Sequence, residues 1–373
     1  MNTSVPRQTH LYGVDLLRFI AAFMVLLGHS RNDFFGAYGN LPQVQQGIFT
    51  MLFFSFSRLG HEAVLIFFVL SGYLVGGMSI ERIKSGTFSV KSYAINRFVR
   101  ILLPLISAIL LFILVSVILS MPINWWTVIG NLFSLQEILV ESLVTPFWSL
   151  SYEVWFYIIM GALGVLLSKR LNKANRIYKI IAITVLIICI MVFTKLWVRY
   201  LVIWYIGAIA YIFAPRVRSN LITFISFVLM MISIVLLQLT SDSVSISIDK
   251  WHFINRPFLE IVFSIFCSLF IQQIVLIKPT HKIPILLDKW GTKLAVFSYT
   301  LYLVHRILFL VLFKYFFTQN CGYFNLKYIL LYVLFLGIIL IVSYMIYYLF
   351  ERNTATVKKY LKSLKFSRFI IIK

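Results

Sequence analysis

Cysteine is nearly missing from this chain, with 3 in 373 residues. Cys189 and Cys267 fall inside apolar runs and Cys321 in a loop, so a disulfide framework is excluded as the organising device. Acidic side chains are scarce as well, 12 Asp and Glu against 34 Lys and Arg, for a formal net charge of +22. There is no internal repeat, no low-complexity tract and no soluble appendage, which removes solenoids and arrays from consideration. The first apolar run lacks a small-residue cleavage site and is longer than a signal-peptide core, so it is expected to stay in place as an uncleaved anchor.

Apolar sequence is abundant instead. Hydrophobic residues make up 61% of the chain and the mean hydropathy is +0.93, more apolar surface than one soluble domain of this length can bury. The excess falls in ten runs near the ~20 residues of a spanning helix, at 12–30, 62–80, 98–119, 147–167, 177–194, 197–214, 220–239, 257–277, 294–313 and 328–350. If the N-terminus is cytoplasmic, inner segments hold 24 Lys and Arg and outer segments 8, the asymmetry of the positive-inside rule. The expectation is an all-α, polytopic bundle of about ten transmembrane helices with both termini cytoplasmic. Residues 1–350 form its membrane domain, and 351–373 a basic tail against the anionic inner leaflet. The charge thus reports topology and excludes nucleic acid as the partner.

Ionisable groups within the spans carry the chemical information, because each is costly there and normally faces a bundle interior or a pathway. The first run, LYGVDLLRFIAAFMVLLGHS, holds Asp15, Arg18 and His29. At about 100° per residue Arg18 and His29 lie roughly 20° apart in azimuth and roughly 16 Å apart along the axis, with Asp15 on the same face. That is a polar stripe through half a bilayer. Further groups are Ser71, Glu153, Glu260, His305 and Arg306. On this topology His29, Glu153 and His305 converge in depth near the outer side, His305 sharing a face with Ser298 and Tyr302. Arg97 and Arg100, three apart, share a face at the cytoplasmic mouth of the third helix. Ser71 beside Gly72 reads as a close-packing device rather than a nucleophile, since the G-x-S-x-G context is missing.

Five motifs in order carry a resemblance. They are Arg18 with His29, the segment Phe67 to Tyr73, NRFVRILLP from Asn96 to Pro104, FWSLSYE with FY from Phe147 to Tyr157, and SYTLYLVH from Ser298 to His305. Together they resemble acyltransferase family 3, integral-membrane enzymes that O-acetylate bacterial surface polysaccharides, over essentially the whole chain. The resemblance implies transfer of an acyl group from cytoplasmic acetyl-CoA to a sugar hydroxyl, at the outer side of the bacterial inner membrane, with no metal. It implies catalytic roles for His29, Glu153 and Arg18, donor binding by Arg97, Arg100 and Arg18, and acceptor contacts by Trp148, Ser149, Tyr302 and His305. The sequence departs from the family in having one acidic residue after W-S-L, Glu153 followed by Val154, which excludes a role needing two carboxylates there. Many family members also continue into an esterase-like domain, which the sequence to Lys373 does not hold.

The residues support this chemistry on their own terms. Arg97 and Arg100 suit planar, bidentate grip on phosphate, and the pantetheine arm would pass along the Arg18 stripe toward His29. There a neutral imidazole can deprotonate a hydroxyl or carry the acyl group itself, with Glu153 orienting it or stabilising its cation. Direct transfer and an acyl-histidine relay both remain open. So do the acceptor, whether O-antigen, capsule, exopolysaccharide, peptidoglycan or a small glycoside, and the acyl group. The competing class is a transporter or flippase for a lipid-linked glycan or another anionic solute; such proteins tend to show internal repeats and paired broken helices, neither of which is visible.

Overall fold

The computed structural model describes residues 12–168, 176–240, 255–277, 282–316 and 323–363. These form an all-α bundle. Each of the ten apolar runs is a helix: α1 Tyr12–Phe35, α3 Gly60–Ser71, α5 Val90–Ile118, α7 Trp148–Leu167, α8 Arg176–Phe193, α9 Val198–Ile212, α10 Asn220–Leu239, α11 Arg256–Ile274, α13 Ser298–Phe316 and α14 Leu326–Leu349. Among the described residues nine helical segments are long and apolar enough to cross a membrane; α9, at 15 residues and roughly 22 Å, is the shorter tenth. Four shorter helices lie at the ends: α2 Ile48–Ser57, α4 Met78–Lys84, α6 Trp125–Leu132 and α12 Lys282–Ala295. α12 packs across the start of α1, where Gly291 meets Leu16. A last helix, α15 Thr354–Ser363, lies against α5. Cys321, the stretch 241–254 and residues 364–373 of the basic tail fall outside the described residues.

Local sequence sets the helix starts. Ser89, Asn124, Ser219, Asn255 and Asn325 each accept a hydrogen bond from a backbone N–H of the following turn, satisfying donors that a helix leaves open. The periphery is apolar. Ile181, Ile187 and Ile190 on α8, Leu221 and Phe224 on α10, and Leu330 and Val333 on α14 are all exposed, an arrangement that suits lipid and not water.

α1, α3 and α13 hold the centre, with residues such as Ala22, Leu65, Leu301 and Ile307 fully buried. α3 continues through a wider π turn, Gly72–Gly77, before α4. Glycine is required where this turn crosses α9: a Cβ on Gly72 would lie 1.8 Å from the Trp204 carbonyl oxygen, and one on Gly207 2.1 Å from that of Val69. Gly72 therefore does serve close backbone approach. At the other end of α3, Glu260 is fully buried and bracketed by His61 at 2.8 Å, Arg199 at 2.9 Å and Arg256 at 3.5 Å. A buried carboxylate needs such partners, and this one ties α3 and α9 to α11.

Residues 351–363 do not hang from the bundle. Glu351 is buried and accepts hydrogen bonds from the Thr300 backbone N–H at 3.3 Å and Oγ1 at 2.6 Å, which anchors the start of α15 on α13.

Candidate active site

A cavity of about 280 Å³ lies between α1, α3, α5, α7, α13 and α15. It brings together Arg18, Arg97, Arg100, Ser149, Glu153 and Tyr302 from the sequence-derived set, and adds Tyr157, Tyr299 and Lys358. Four cations face one carboxylate. Arg97 lies over the Tyr157 ring at 5.5 Å and Arg100 over Tyr299 at 6.0 Å, so aromatic faces hold both guanidinium groups. Arg18 is 4.0 Å from Asp15, a loose pair one turn apart. A second cavity, about 520 Å³, shares Arg18, Leu74, Arg100 and Lys358 with the first and adds Asp15, Glu351 and Arg352. The basic end is thus a two-chambered pocket.

Glu153 is held by a directed chain of hydrogen bonds. Trp204 Nε1 can only donate, and does so to Ser71 Oγ at 3.1 Å; Ser71 lies 3.0 Å from the Tyr157 hydroxyl, which donates to Glu153 Oε1. Tyr157 stands one turn from Glu153 on the same face of α7, the nearest partner available to it. Ser149 and the Tyr302 hydroxyl are 2.6 Å apart, and Tyr302 donates to the Pro146 carbonyl at 3.0 Å. This contact closes the far end of the smaller cavity.

His29 and His305 meet just beyond it. His29 Nδ1 and His305 Nε2 are 3.1 Å apart, and the His305 ring lies 6.3 Å from that of Tyr302. Glu153 sits one turn from Ser149 along α7, and His305 one turn from Tyr302 along α13. The Ser149–Tyr302 contact therefore separates the carboxylate from the imidazoles. The direct support of His29 expected from Glu153 is not the contact found: the partner of His29 is His305, and that of Glu153 is Tyr157. Arg306 ion-pairs with Asp33, one turn past His29, joining α1 and α13 a second time. Trp148 packs edge-on against Phe68 and near Tyr200, outside the cavity lining. Among the described residues no three His, Cys, Asp or Glu side chains gather as ligands for a metal ion.

Sequence reasoning missed Tyr157, Tyr299, Glu351 and Lys358. Tyr157 carried a signal in its spacing of four from Glu153. Glu351 and Lys358 lie past the last apolar run, in a 3-10 turn and in α15, and nothing local points either of them at Arg100.

Helices enclosing a basic cavity, with a histidine pair just past the Ser149–Tyr302 contact at its end, define a multi-pass membrane protein with the makings of a group-transfer site. The family description "Acyltransferase domain" matches residues 11–348, nearly the whole chain, and the protein belongs to this family, acyltransferase family 3. It is a multi-pass membrane acyltransferase. A relative, peptidoglycan O-acetyltransferase OatA of Listeria monocytogenes, is 27% identical over 145 residues, which are 34% of this chain and 23% of the relative. The match spans less than a quarter of that protein's length. No solved structure matches the chain.

Proposed function

We propose that the protein takes an acyl group, in the first place acetyl, from acyl-CoA at the basic end of the bundle. It delivers that group to a sugar hydroxyl of a surface polysaccharide or its lipid-linked precursor on the opposite side of the bacterial inner membrane. The observation that carries this reading is that the cavity of Arg18, Arg97, Arg100 and Lys358 ends at Ser149 and Tyr302, with the His305 ring 6.3 Å from that of Tyr302 and His29 on His305. At about 280 Å³ the inner chamber is at the small end of ligand sites and suits a pantetheine arm, with the nucleotide phosphates at its basic end, where Arg97 and Arg100 stand and the wider chamber shares Arg100 and Lys358. The thioester then reaches the Tyr302 end. An unprotonated His29 nitrogen accepts the proton of the sugar hydroxyl, the oxygen attacks the thioester carbonyl, the C–S bond breaks, and the leaving thiolate takes the proton back. If the same nitrogen attacks the carbonyl first, the C–S bond breaks and His29 carries the acyl group as an acylimidazolium; the sugar oxygen then attacks that carbonyl, the C–N bond breaks, and the hydroxyl proton goes to the CoA thiolate. The O-acetyltransferase relative supports an oxygen acceptor.

Radiolabelled acetyl-CoA supplied to inside-out vesicles tests this reading. Label entering glycan supports acyl transfer; glycan movement without acylation supports the flippase alternative. His29→Ala should lower label transfer by at least the ~10² to 10⁴ of a lost general base while leaving membrane insertion intact, since removing a polar group from a span does not raise its insertion cost. Substantial transfer by well-expressed His29→Ala protein would remove His29 from the chemistry.

A further inference from the structure

The hydrogen bonds around the two imidazoles specify where their protons are. His305 Nδ1 lies 3.0 Å from the Leu301 carbonyl oxygen, an atom that can only accept, so Nδ1 carries the proton. In a neutral ring the other nitrogen, Nε2, is then the acceptor. Its partner at 3.1 Å is His29 Nδ1, which must donate. The proton of neutral His29 is thereby fixed on Nδ1, and its Nε2 keeps an unshared electron pair. Ring geometry agrees: the planes lie within 10° of each other and the centroids are 5.4 Å apart, longer than the N···N distance by about the two ring radii. The rings are edge to edge in one plane, as a straight N–H···N bond requires.

The two histidines differ in access. His305 is 1% exposed and uses both nitrogens inside the protein. His29 is half-buried, and its Nε2 is not among the buried polar atoms left without a partner. The free electron pair is thus not sealed inside the protein. We infer that His305 is a positioning residue that holds His29 in the Nδ1–H tautomer, so that His29 Nε2 is the atom that takes the hydroxyl proton or the acyl group. The Arg306–Asp33 ion pair beside it fixes the register of α13 on α1 that this contact needs. When Nε2 takes a proton, the imidazolium still gives its Nδ1–H to His305; when the thiolate is reprotonated, the starting tautomer returns. The logic is that of any imidazole whose second nitrogen is committed to a fixed partner, as in hydrolase triads.

This inference rests on the acyl-transfer reading above. Its test compares two replacements of nearly equal size and shape. His305→Gln offers a carboxamide oxygen where Nε2 accepted; His305→Met offers almost no acceptor. Variants are expressed in the native host lacking its own copy, and base-labile acetate in the envelope glycan fraction is measured per folded protein, with folding followed by melting in detergent. His305→Met should lose on the order of 10- to 100-fold, the scale of a lost partner to an oriented imidazole, and His305→Gln should recover most of it. In the His29→Ala background the two should not differ. Equal activity of Gln and Met, or a further loss on adding Met to His29→Ala, overturns the inference alone. A wild-type protein that adds no ester overturns the acyl-transfer reading, and the inference with it. Should His305→Met fold poorly, His305→Asn replaces it, because its carboxamide stops one methylene short of His29 Nδ1; Asn matching Gln would again refute the role.

Discussion

Neutralising the guanidinium groups at the basic end should separate donor binding from the chemical step. Arg97 and Arg100 both line the cavity, and each leans on a tyrosine face. A hydrogen bond to a charged group contributes about 1.5 to 3 kcal/mol, and about 1.4 kcal/mol is a tenfold change in affinity. Arg97→Gln or Arg100→Gln should therefore weaken acetyl-CoA binding by about 10- to 100-fold. The accompanying loss of the contact with Tyr157 or Tyr299, about 0.5 to 1 kcal/mol, falls on folding and should appear as a small drop in melting temperature. Lys at either position restores charge without the planar fork, so partial recovery is expected. The double variant should lose less than the sum if both groups grip one phosphate. The assay is equilibrium binding of labelled acetyl-CoA to purified full-length protein, with pantetheine, which carries no phosphate, as the control. Unchanged donor affinity at normal folded levels, or an equal effect on pantetheine, would refute phosphate recognition and return both residues to topology anchors.

Three other perturbations address the frame. Gly207→Ala forces a Cβ to within 2.1 Å of a backbone oxygen and should cost several kcal/mol, whereas Gly337→Ala in the middle of α14 meets no atom within 4 Å and should stabilise by roughly 0.5 to 1 kcal/mol; detergent melting curves should move in opposite directions. Glu351→Ala removes the acceptor of both Thr300 hydrogen bonds, so α15 and Lys358 should loosen, seen as faster proteolysis after residue 350 and a raised donor KM with kcat little changed. A reporter fused after Lys373 should be active only in the cytoplasm, and one inserted near Asn40 or Glu141 only outside; a periplasmic C-terminus would reverse the direction of transfer proposed here.

The placing of the long apolar helices was legible because a span announces itself through composition and length, without reference to any other part of the chain, whereas the short helices α2, α6 and α15 were not. The same holds for Arg18 and His29 on one face, which a 3.6-residue period establishes alone. The motif order was legible too, and it led to the family. Partners were not. Glu153 was expected beside His29 because their depths, counted from helix ends, came out alike; the packing of α7 against α13 through Ser149 and Tyr302 puts it on the other side of that contact, with Tyr157.

What the chain alone determined is therefore everything that depends on one helix at a time: an all-α membrane bundle, the polar stripe, the paired arginines and the small residues at Gly72. Tertiary structure decided what depends on two helices at once. It alone joins His29 to His305 across α1 and α13, and folds residues 351–363 back so that Lys358 lines the basic cavity. It also gathers His61, Arg199 and Arg256 on the buried Glu260. The physical reason is one of range. Hydropathy and period are local properties of the backbone, whereas the rotation and depth of one helix against another are set by side-chain packing over long sequence separations, and a rotation of one residue position, about 100°, exchanges every partner on a face.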